Sequence, residues 1–179
     1  METHSTIRQA VETRIRAAFA EVTLGSGASL HQAQVIDNYG EGFTDEQFSR
    51  LPLSEETEHW ERVTFEELES DNVAHLDPEG FRFYLPAFMI SVLDEYVSSS
   101  MRVIGTLSAL YPKDHVTGYH MPRYNLLSYE QKQAVACFLE ALPELVPLDG
   151  EDRTIVERAM RYWTQFLPIV RLTGGAHEG

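Results

Sequence analysis

The stretch Asp77-Pro78-Glu79-Gly80-Phe81-Arg82-Phe83-Tyr84-Leu85-Pro86-Ala87-Phe88-Met89-Ile90-Ser91-Val92-Leu93 constrains the fold more than any other part of this chain. No charged residue occurs from Phe83 to Leu93, and beyond Pro86 the apolar residues favour no single face. A helix that is apolar all round is a buried one. The start is also written in the sequence: Asp77 suits an N-cap, and Pro78 suits the first helical position, where a missing N–H costs no bond. The expectation is a central helix over Phe81–Tyr96, kinked at Pro86, with other helices packed around it.

The flanking sequence supplies those helices. Ile7, Val11, Ile15, Phe19 and Val22 keep helical spacing, and Arg8, Glu12 and Arg16 fall four apart on the other side. Gly25-Ser26-Gly27 is read as the stop. Four Ser/Thr-x-x-Glu/Gln capping boxes follow: Ser29/Gln32, Thr44/Gln47, Thr64/Glu67 and Ser128/Gln131. They predict helices over Leu30–Asn38, Asp45–Leu51, Phe65–Glu69 and Tyr129–Leu142. In the last of these, Val135, Phe138, Leu139 and Leu142 form the apolar stripe. Asp149 is read as the cap of a final helix carrying Ile155, Ala159, Tyr162, Trp163 and Phe166. Met101–Leu110 suits strand or helix; helix is preferred because no partner strand is visible. Pro112–Leu127 contains Gly118 and Pro122 and shows no apolar period, so a loop is expected there. The fold class expected is all-α: one helical domain over residues 1–179, with 173–179 as a frayed tail.

Charge narrows the partners. The chain carries 14 basic and 28 acidic residues, net −14. Nucleic acid and anionic membranes are therefore poor partners, since phosphate recognition needs a basic footprint. The acidity is focused: Glu41 to Glu79 holds 13 acidic residues against Arg50 and Arg62. Such a field steers basic partners and speeds encounter, although a solvated face that aids solubility has the same composition. Cys137 is the single cysteine, so neither an internal disulfide nor a cysteine zinc site is expected, which fits a reducing cytoplasm. Arg8, Glu12, Arg14 and Arg16 interrupt any signal-peptide core, and no apolar run approaches the roughly 20 residues of a membrane span.

Several stretches together resemble an uncharacterised bacterial family, a domain of unknown function. They are Phe19 to Tyr39 with Ser29-Leu30, Asp37 and Tyr39; Trp60 with Val63; Leu127, Ser128, Gln131 and Phe138-Leu139; and Tyr162-Trp163. The run Gly80-Phe81-Arg82-Phe83-Tyr84-Leu85-Pro86-Ala87-Phe88-Met89 is the most distinctive. The resemblance implies a small, mainly helical bacterial protein and brings no activity, cofactor or catalytic residue with it.

Candidate chemistry is sparse. Asp114, His115 and His120 place two imidazoles and a carboxylate in the expected loop, but their spacing matches no established zinc pattern. Asp71, His75 and Asp77 could hold an imidazole between carboxylates, yet Asp77 is already read as a cap. No Gly-x-Ser-x-Gly elbow, dinucleotide fingerprint or Walker sequence occurs. Arg82 is the one charge in the aromatic run and is read as packing its stem on the rings and pairing with Glu79 or a distant carboxylate. The cluster Tyr111, Tyr119, Arg123, Tyr124 and Tyr129 has the composition of an interface anchor.

The function expected is an acidic cytoplasmic protein-binding module. Its most concrete form is an immunity- or antitoxin-like protein masking a basic partner such as a toxin. The residues expected to meet that partner are Glu55, Glu58, Glu66, Glu69, Tyr119, Arg123 and Tyr124. No cofactor or metal is expected. Two alternatives stay open: a small enzyme using Asp114, His115 and His120, and a non-catalytic assembly subunit.

Overall fold

The computed structural model describes residues 2–39, 46, 56–70, 73–113 and 117–168, and no strand occurs among them. Helices α1 (Glu2–Phe19) and α2 (Leu30–Tyr39) are followed by a 3-10 turn at Trp60–Arg62, α3 (Phe65–Ser70) and a second 3-10 turn at Val73–His75. Then come α4 (Pro78–Asp94), α5 (Met101–Leu110), α6 (Thr117–Leu126), α7 (Tyr129–Leu145) and α8 (Gly150–Trp163), with a last 3-10 turn at Thr164–Phe166. The all-α expectation holds. The Thr44/Gln47 box, most of Asp45–Leu51 and the 173–179 tail lie outside the described residues.

Helix α4 is the centre. It touches α1, α3, α5, α6, α7 and the first two 3-10 turns. Every side chain from Phe83 to Leu93 is buried. One continuous helix includes Pro86 and ends at Asp94, two residues short of the expected Tyr96. Pro86 removes the donor for one intrahelical bond, to the Arg82 carbonyl. Burial on every side outweighs that single loss.

The start of α4 is fixed by contacts both local and distant. Asp77 Oδ1 accepts from Gly80 N at 2.8 Å and from Ala28 N at 3.1 Å. The cap thus also holds the 27–29 turn against the helix. That approach is close enough to require glycine: a Cβ on Gly80 would lie 2.5 Å from the Ala28 carbonyl oxygen, and one on Gly27 2.7 Å from Gly80 N. The other caps form as read. Ser29/Gln32 and Ser128/Gln131 exchange both capping-box bonds. The Thr64/Glu67 pair does the same, with Glu67 accepting from Thr64 N at 2.6 Å. Asp149 Oδ1 accepts from Asp152 N at 2.8 Å.

Helix α1 ends at Phe19, ahead of Gly25-Ser26-Gly27, and lies along α7. Arg8 bonds Glu12 at 2.7 Å as its spacing implied. It also donates to the Leu93 carbonyl at 2.9 Å and pairs with Asp94, so it serves as a cationic cap on the C-terminus of α4. Two indoles do a similar job without charge. Trp60 Nε1 donates to Phe19 O at 2.9 Å, and Trp163 Nε1 to Leu110 O at 2.7 Å, closing the ends of α1 and α5.

The expected loop over Pro112–Leu127 is corrected: Thr117–Leu126 is helix α6. Pro122 forfeits one bond, to the Gly118 carbonyl. In exchange, His120, Arg123, Tyr124 and Leu127 bury a stripe at i, i+3, i+4 and i+7 against the core. Two of those four are polar, so a count of apolar residues missed the period.

Three half-buried or buried tyrosines make the fold sensitive to alkali. Burial, helped by the 2.6 Å bond to Asp152 Oδ2, pushes Tyr96 from its ordinary 10.0 up to about 12. Burial also raises Tyr124 and Tyr162. As pH climbs above 10, the unfolded chain releases phenolic protons that the native chain keeps. Stability is therefore expected to fall with rising pH in that range. Urea unfolding should show a lower midpoint at pH 11 than at pH 8, and a smaller drop for Tyr96→Phe. Equal midpoints for the wild type would contradict the burial of these phenols.

Candidate functional site

Two places collect the residues singled out in the sequence. The first is the face formed by α3 and the start of α5. Thr64 starts α3, and its first turn carries Glu66 and Glu67. On α5, Ser100 is the N-cap, and Arg102, the one charge in Met101–Leu110, turns inward to 0% exposure. Its Nε meets Glu69 Oε1 at 2.7 Å, Nη1 donates to Ser91 Oγ at 3.2 Å and Nη2 to Glu95 O at 2.8 Å. The Phe65 ring covers the guanidinium at 4.2 Å. Arg102 and Val103 turn inward, while Met101 before them and Ile104 after them stay exposed. Met101 and Ile104, together with Val97 and Phe65, are the exposed large hydrophobic side chains of this region.

The carboxylates around that apolar group differ in role. Glu56 accepts from the backbone N–H groups of Glu58 and His59 at 2.8 and 3.0 Å, which together lower its pKa. Glu67 closes its own capping box. Glu69 is held by Arg102 and is 38% exposed, so it belongs as much to the core as to the surface. Glu58, Glu61, Glu66 and Glu95 are exposed, and none forms an ion pair among the described residues. Glu61 shares with Phe65 the wall of a small cleft of about 200 Å³. Glu55 lies outside the described residues.

The second place is α6. Tyr119 is 51% exposed, whereas Arg123 and Tyr124 are buried. Tyr124 is a core residue: its hydroxyl donates to Ala109 O at 2.7 Å, and its ring packs edge-on to Trp163 with centroids 4.8 Å apart. It offers no surface to a partner. Arg123 Nε donates to the Leu76 carbonyl at 2.7 Å, and Nη2 donates both to that carbonyl and to Tyr119 Oη, the latter at 2.6 Å. Beside it opens a cleft of about 410 Å³ between α6 and the turn that leads into α4, with Ala28, Leu76, Pro78 and Pro122 as its apolar wall.

His120, one of the three residues of the expected enzyme site, is a buried residue stacked on Tyr124 with ring centroids 5.7 Å apart. Burial and the neighbouring Arg123 cation lower its pKa, which disfavours the charged ring. Asp114 and His115, its expected companions, lie outside the described residues, as does Asp71. His75 is exposed and Asp77 is the α4 cap. Among the described residues no group of three His, Cys, Asp or Glu side chains is arranged to hold a metal. Cys137 is half-buried and burial pushes its thiol pKa up, away from nucleophilic character.

The ion pair expected for Arg82, with Glu79 or any other carboxylate, is not found among the described residues, and its Nε is buried without a partner. Among the described residues the buried cations are Arg102 and Arg123. A signal for Arg102 was present, since it is the single charge within ten otherwise uncharged residues.

The family model for a family of unknown function, DUF6714, matches residues 7–167. This chain belongs to that family. No curated protein and no solved structure matches it. The DUF6714 match covers both places just described. Among the described residues no helix is long and apolar enough to cross a membrane.

Proposed function

We propose that this DUF6714 protein is a binding module that receives a basic protein on the face formed by α3 and α5. One observation carries the reading: Phe65 of α3, Met101 and Ile104 of α5 and Val97 just before α5 are exposed, and the exposed carboxylates Glu58, Glu61, Glu66 and Glu95 on these and the adjoining segments form no ion pair among the described residues. An apolar centre with a polar rim is the anatomy of a protein interface. A rim of one sign selects a partner of the other and raises its rate of arrival. Masking a basic partner in the cytoplasm, as an immunity or antitoxin protein does, is the concrete form this takes.

The test separates rim from centre. Glu58, Glu61 and Glu66 are reversed together to Lys, leaving Glu69 to its structural pair. Helical circular dichroism should stay near wild type, because surface changes of this kind shift stability by no more than about 0.5 kcal/mol each. Association with a basic protein captured from the native host should slow sharply at low salt and little at high salt, where the Debye length shrinks. Met101→Ser with Ile104→Ser should instead speed dissociation. A captured partner whose rates respond to neither set of changes, nor to salt, would sink the proposal.

A further inference from the structure

The α6 cleft holds an unbalanced charge. Arg123 is 3% exposed, and its neighbours are a backbone carbonyl and a phenol rather than an anion. No carboxylate forms an ion pair with it among the described residues. Its Nη1 is buried and has no hydrogen-bond partner. Leaving an enclosed cation without a counter-ion and with idle donors is costly, and the ordinary remedy is a carboxylate gripped by the guanidinium fork.

Three features say what sort of anion fits. The cleft volume of about 410 Å³ suits a small organic molecule rather than a bare ion. Its wall of Ala28, Leu76, Pro78 and Pro122 is apolar, so the body of the ligand is apolar too. Asp77 also lines the cleft, and although Gly80 N and Ala28 N occupy its Oδ1, its charge disfavours a dianion such as phosphate. Access is governed by Tyr119. Its ring lies 3.9 Å from the Arg123 guanidinium carbon, and its own outer side faces solvent.

We propose that this cleft binds a monocarboxylate with a small apolar body, the carboxylate seated on Arg123 Nη1 and the Tyr119 ring displaced to admit it. The inference is independent of the α3–α5 reading. Either a free organic acid or the C-terminus of a peptide presents this chemistry.

The experiment is a titration of the full chain followed by amide chemical shifts. The probes are benzoate for a free acid, N-acetylphenylalanine for a peptide terminus, benzamide as the neutral isostere and inorganic phosphate. At least one acid should saturate, with shifts centred on residues 76–80 and 118–123, and the tighter of the two identifies the source. Benzamide and phosphate should bind about tenfold more weakly or worse, because the charged hydrogen bond is lost or opposed. Arg123→Gln should weaken the acid by a similar factor. Should that variant fail to fold, Tyr119→Ala decides, since the ring is exposed and its removal should tighten acid binding several-fold. The proposal is overturned by no saturation with either acid, by benzamide or phosphate binding as well as the acids, by shifts elsewhere, by an unchanged affinity in folded Arg123→Gln, or by an affinity that Tyr119→Ala leaves the same or weakens.

Discussion

Phe88→Ala is expected to lower the unfolding free energy by about 3–5 kcal/mol, read as a shift of the urea midpoint at unchanged slope. Phe88 is fully buried in α4, the helix that every neighbouring element leans on. The substitution removes the apolar area of a ring and leaves a cavity. That cavity can collapse little, because α4 is held at both ends: by Asp77 against the 27–29 turn, and by Arg8 at the Leu93 carbonyl. The loss is a large part of the 5–15 kcal/mol typical of a domain. A variant that melts like wild type would mean that α4 is not the centre of the core.

Glu69→Lys should cost a similar amount, about 3–5 kcal/mol, while Glu66→Lys, three residues earlier on the same short helix, should cost no more than about 0.5 kcal/mol. The two glutamates look alike in the sequence. They differ because Glu69 is the counter-ion of Arg102, whose 0% exposure denies its charge any hydration. Reversing Glu69 sets a second cation against the first, with only Ser91 Oγ, the Glu95 carbonyl and the Phe65 ring to hold it. Glu69→Gln keeps an acceptor for the guanidinium and should lie between the two. Equal midpoints for Glu66→Lys and Glu69→Lys would show that water reaches Arg102. The distinction also governs any test of the acidic face. A reversal that includes Glu69 also destabilises the fold, which confounds any loss of binding.

The sequence by itself determined the helix starts that carry a legible cap, though not helix α6, whose segment reads as a loop. A capping bond links residues three apart, so Asp77 to Gly80, Ser128 to Gln131 and Asp149 to Asp152 are complete within one short segment. The same holds for the burial of α4, because a run without charge has nowhere else to go. Tertiary structure decided what no segment contains. The partners of Arg102 include Glu69, 33 residues earlier, and Arg123 bonds the carbonyl of Leu76, 47 residues earlier. Helix α6 follows the same rule. Its inward stripe includes His120 and Arg123, polar residues that face the core only because the rings of Tyr124 and Tyr119 and the Leu76 carbonyl are already there to receive them. Whether a charge in this chain is buried cation, helix cap or open rim depends on which element packs over it, and long-range packing is the one physical term that local sequence pattern does not carry.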